Sequence, residues 1–92
     1  MKPARSYDTP ILAMIEAFNA HVGGTLTMAD LRDEWWFRLD DADKENRFGY
    51  WLDKALDLPA VAEKVEVVYL RNPGWYTEVR FKVLDHIILM SK

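Results

Sequence analysis

The chain has 92 residues, half of them apolar, with a formal net charge of −3 and no cysteine. That length supports one domain, and four tryptophans, four tyrosines and four phenylalanines can fill its core, which excludes a disordered chain. The missing cysteine excludes disulfides, thiolate zinc sites and a cysteine nucleophile, and fits a reducing cytoplasm. The acidity counts against a dedicated nucleic-acid binder, whose affinity rests on neutralising phosphates.

No apolar run approaches the roughly 20 residues of a membrane span, so no membrane is expected as a partner. Residues 1–8 read as a flexible arm carrying Lys2 and Arg5, and no apolar region follows them that would make a secretory signal. Residues 9–84 read as the folded domain and 85–92 as an apolar tail.

Thr9-Pro10 predicts a helix start, a hydroxyl cap followed by proline at the first helical position. Ile11, Leu12, Ile15, Phe18 and Val22 give that helix an apolar face, and Gly23-Gly24 stops it. Thr25-Leu26-Thr27 is a short extended link, and Thr27 caps a second helix, with Asp30 in the capping-box position. Met28, Leu31 and Trp35 share one face of that helix, which ends near Trp35-Trp36-Phe37. Neighbours on a helix stand 100° apart, so Trp36 or Phe37 must be partly exposed or meet another surface.

Asp40 or Asp41 is the expected cap of a third helix, with Phe48, Trp51, Leu52, Ala55 and Leu56 as its buried stripe and Pro59 as its end. Ala60 to Lys64 reads as one further helical turn. Val65 to Val83 then alternates with a period of two on either side of Asn72-Pro73-Gly74, a turn that suits type II geometry. The inward face is expected to be Val65, Val67 and Tyr69 with Val79, Phe81 and Val83.

Helix, short strand, helix, helix, hairpin: the pattern over residues 9–83 resembles a winged helix-turn-helix domain, an α+β fold of three helices followed by an antiparallel β-hairpin wing. The resemblance implies that residues 43–57 are a recognition helix and that residues 71–76 are the tip of the wing. On that basis a small DNA-binding protein, a transcriptional regulator of bacterial or phage type, is the first functional expectation. Double-stranded DNA would be read by Asn46 and Arg47 and its phosphates held by Tyr50 and Lys54 on the helix, with Arg71, Asn72, Arg80 and Lys82 on the wing.

The charge pattern favours a second expectation. From Asp40 to Asp57 six acids face three bases, and carboxylates repel phosphates. A winged-helix protein-interaction module, an adaptor or inhibitor, would use Trp36 as an aromatic anchor. Val68 and Leu70 on the outer side of the hairpin, and Ile87, Ile88 and Leu89 in the tail, are the further candidates for contact with a partner or with a second copy in a homodimer, unless the tail folds over the hairpin within the chain.

Enzymatic and metal chemistry find little purchase. The serines, Ser6 and Ser91, lie in the two tails, no glycine-rich loop opens a helix, and His21 and His86 have no ligand partner at metal spacing. Asp41-x-Asp43-x-Glu45 begins like a calcium loop but puts Asn46 where glycine belongs and Leu52 where the bidentate glutamate belongs. No cofactor and no catalytic residue are therefore expected.

Overall fold

A computed structural model describes residues 9–39, 47–71 and 77–88, with residues 70, 71 and 77 described by their backbone alone. The elements run in the order α1 (Thr9–Asn19), β1 (Thr25–Thr27), α2 (Met28–Phe37), α3 (Phe48–Leu56), α4 (Pro59–Ala62), β2 (Val65–Arg71) and β3 (Thr77–Val83). Among the described residues they form an α+β domain of four helices and one three-stranded antiparallel sheet, in the order β1-β3-β2. No helix among them is long and apolar enough to cross a membrane.

α1 is the centre of the domain. Seven of its eleven residues are buried, among them Ala13, Met14 and Ala17 beyond the expected stripe, because α2 and α3 both pack on it. Val22 does not belong to its apolar face; the helix ends at Asn19 and Val22 is exposed in the turn that follows. Gly23 closes that turn at φ +85°, a conformation in which a side chain is strained, and its N–H donates to Val83 O at 2.9 Å.

The Thr25–Thr27 link is a true strand. It pairs with β3 so that Leu26 lies opposite Phe81, and Val67 lies opposite Phe81 from the other side. One row of the sheet thus delivers Leu26 and Phe81 into the core, where Phe81 meets Phe18 of α1 edge-on at 5.9 Å. Val65, Phe81 and Val83 are buried as the alternation predicts, and Val67 and Val79 are half-buried. Tyr69 breaks the pattern at 70% exposure. Alternation fixes which face a residue takes, but the helical layer covers only the half of the hairpin nearer Val65 and Val83, so Tyr69 stands beyond it.

The expected helix boundaries shift in two places. α3 begins at Phe48, with Arg47 as an N-cap that supplies no side-chain bond, so the carboxylate cap does not start this helix. Pro59 does not end α3, which stops at Leu56; it opens α4 at its first turn, where its missing N–H costs nothing. The expected Asn72-Pro73-Gly74 turn and residues 1–8 lie outside the described residues.

Trp35 joins the helices. It is buried, its indole Nε1–H donates to Pro10 O at 2.9 Å, and its ring packs on Phe48 of α3 at 5.5 Å. The C-terminal segment is fastened as firmly. Ile87 N–H donates to Asn19 Oδ1 at 2.7 Å, and Asn19 Nδ2 donates back to Ile87 O at 3.0 Å, which puts the Ile87 side chain in the core at 3% exposure.

Candidate functional site

The expected DNA-reading surface divides in the structure. Arg47, Tyr50 and Lys54 stand at i, i+3 and i+7, a spacing that puts all three on the exposed side of α3, with Tyr50 54% exposed. Asp53 and Asp57 share that side, so the charge of the face cancels. The Lys54 ammonium lies 5.1 Å from the centre of the Tyr50 ring, and Tyr50 meets Trp51 edge-on at 5.0 Å. Asn46 and Asn72 lie outside the described residues, and of Arg71 only the backbone, paired with Thr77, is described.

The two remaining wing cations differ. Arg80 donates to Glu78 Oε1 through Nη2 at 3.0 Å and Nε at 3.2 Å, so its charge is already met. Lys82 is exposed and paired in register with Glu66 on one side and Thr25 on the other. Elsewhere, Lys64 is 3.6 Å from Asp85, whose carboxyl is held below its usual range by the His86 N–H at 2.7 Å and then by that ammonium. Among the described residues, therefore, no continuous basic face joins α3 to the hairpin.

The residues expected to meet a partner also separate. Ile87 is a core residue and offers nothing to a partner, because Asn19 draws it inward. Ile88 is 68% exposed and Val68 is half-buried beside Arg80 in the sheet. Leu89 lies outside the described residues, and Leu70 is described only by its backbone pairing with Glu78. The tail does not form a third strand among the described residues; that place is taken by β1.

α2 carries the most distinctive exposed face. Leu31 and Trp35 point into the core, which turns Asp30, Asp33 and Phe37 outward at i, i+3 and i+7. Thr27 Oγ1 accepts the Asp30 N–H at 3.1 Å and fixes the start of the helix. Met28 at its start and Trp36 and Phe37 at its end are exposed large apolar side chains, and Phe37 reaches 81%. Met28 leaves the expected buried stripe because it sits on the first turn, at the rim of the helix layer.

A cleft of about 260 Å³ opens between this helix and the α1–β1 turn, with Leu26 at its floor and His21, Asp30, Asp33, Glu34 and Phe37 around it. Glu34 is spoken for. His21 Nε2 donates to one carboxylate oxygen, and Arg38 Nη1 donates to the other at 3.0 Å and to Glu34 O at 2.8 Å. The His21 bond first, and the Arg38 bond second, hold the Glu34 carboxyl below its usual range. The carboxylates of Asp30 and Asp33 have no hydrogen-bond or ion-pair partner among the described residues. Sequence spacing alone carried a sign of this face, since Asp30, Asp33 and Phe37 repeat on the side opposite Leu31 and Trp35. The partner of Glu34 had no such sign, because His21 lies in a turn whose path depends on Gly23. No family model, curated protein or solved structure matches the chain.

Proposed function

We propose that the chain is a winged-helix-like domain that works by non-covalent binding of a protein partner, with the outer face of α2 as its contact surface. The element order supports the winged-helix part of this reading: helix, short strand, helix, helix, then hairpin, with the short strand paired to the hairpin. One observation carries the choice of partner. Phe37, at 81% exposure, lines the same cleft as Asp30 and Asp33, whose carboxylates have no hydrogen-bond or ion-pair partner among the described residues. An exposed aromatic in an acidic rim repels a polyanion and suits a protein surface of opposite charge.

A second reading, a DNA-binding regulator, has one observation in its favour, the Arg47-Tyr50-Lys54 stripe on α3. Fluorescence anisotropy with a labelled mixed-sequence duplex at low salt separates the two. Protein binding as the function predicts no saturable duplex binding at micromolar protein. Duplex binding that falls steeply with salt and is lost in Arg47→Ala would establish the second reading instead, since each phosphate contact steepens the salt slope.

A further inference from the structure

The cleft beside α2 is small, and that limits what it can hold. Sites for drug-sized molecules span about 300–1,000 Å³. A cleft of about 260 Å³ falls just below that range and has room for one long side chain. Its floor is apolar and closed, because Leu26 is buried by the core beneath it. One wall is the exposed Phe37 ring. Its rim carries Asp30 and Asp33, while the third acid, Glu34, is ion-paired with Arg38 and hydrogen-bonded to His21 and adds no unpaired charge.

An apolar floor, an aromatic wall and two uncompensated carboxylates match a long aliphatic stem that ends in a cation. Guanidinium suits this better than ammonium: it is planar, stacks on an aromatic face and offers several N–H donors to two carboxylates at once. A metal ion suits it less, because no three His, Asp or Glu side chains converge on one point among the described residues.

We infer that this cleft receives the guanidinium of an arginine carried on a basic segment of the partner protein, with its stem on Leu26, its plane on Phe37 and its N–H groups on Asp30 and Asp33. The inference rests on the reading of α2 as the protein-binding face, and it adds the chemistry of the partner.

The probe is a short peptide of alternating alanine and arginine, titrated into the labelled protein at low salt and followed by NMR chemical shifts. A twin peptide with citrulline for arginine keeps the shape and removes the charge. Saturating shifts are expected at Leu26, Asp30, Asp33 and Phe37. The double variant Asp30→Asn/Asp33→Asn should weaken binding about tenfold, and Phe37→Leu about threefold. The citrulline twin should bind about tenfold more weakly than its parent. Asp53→Asn/Asp57→Asn on α3 removes the same charge and should leave binding within about twofold, because those carboxylates lie on another helix. Equal weakening by the α2 and α3 double variants, equal binding of the two peptides, or no shifts in the cleft would each overturn the inference. Failure here, with a protein partner still captured through Phe37, removes the arginine and leaves the protein-binding reading standing. Peptide binding in the cleft with no partner dependent on Phe37 removes that reading and keeps the cleft.

Discussion

The outer faces of α2 and α3 are built alike and charged differently. Each helix buries one side against α1 and turns an aromatic outward, Phe37 on α2 and Tyr50 on α3. On α3 the aromatic is occupied, with Lys54 above it and Trp51 at its edge, and two acids offset Arg47 and Lys54. On α2 the ring borders a cleft, and the two acids that share it have no ion-pair partner among the described residues. Net charge is the same kind of quantity for both faces, yet only the local pairing separates a finished surface from one that still offers a field to a partner.

The comparison breaks most completely if the two helices lose their common anchor. Trp35 belongs to α2, packs on Phe48 of α3 and bonds to Pro10 of α1. Trp35→Ala should cost about 3–5 kcal/mol, read by urea denaturation, and should leave Pro10 O without its buried donor. Trp35→Phe restores most of the volume but not the bond, so it should fall between the two.

A smaller effect is expected at Asn19, whose side chain bonds both polar groups of Ile87 and holds that residue against the end of α1. Asn19→Ala should cost about 2 kcal/mol, since it strands a part-buried N–H and C=O together. Hydrogen exchange at Ile87 N–H should accelerate by more than global unfolding explains. Loss of that protection with α2 and α3 unchanged would confine the effect to the C-terminal segment and leave the two faces comparable.

The smallest effect sharpens the cleft itself. Glu34 has a folded-state pKa below its ordinary value, so its contribution to stability is complete above the ordinary glutamate range and is lost as pH falls through the lowered value. The pair is partly exposed, so Glu34→Gln should cost only about 0.5 kcal/mol at neutral pH. The gap between wild type and variant in thermal unfolding should close in acid. A gap that persists at low pH would mean that packing, and not the carboxylate charge, gives Glu34 its part.

Much of the fold was legible because it depends on local chemistry. Thr27 as a cap, Trp35 as a core residue and the pairing period of the hairpin each follow from near neighbours in sequence. Tyr69 was misplaced because alternation assigns a face and says nothing of where the helical layer ends. Pro59 was misread because proline suits the residue after one helix and the first turn of the next equally well. A short apolar run has no periodicity to say whether Ile87 turns into the chain's own core or toward a partner, and its fastener, Asn19, lies 68 residues away. The cleft was missed for a similar reason: its two walls come from a helix and from a turn set by Gly23, and only the helix announces its outward face by spacing.

The central claim is that α2, and not α3, is the surface by which this protein acts. Affinity capture from the cells that make it, with wild type, Phe37→Ser and Arg47→Ser run side by side and both protein and nucleic acid measured, tests that most directly. Both substitutions fall on exposed residues and should leave the fold intact. The account predicts a retained protein that Phe37→Ser releases and Arg47→Ser does not. Retained nucleic acid that Arg47→Ser releases, with Phe37→Ser behaving as wild type, would contradict it.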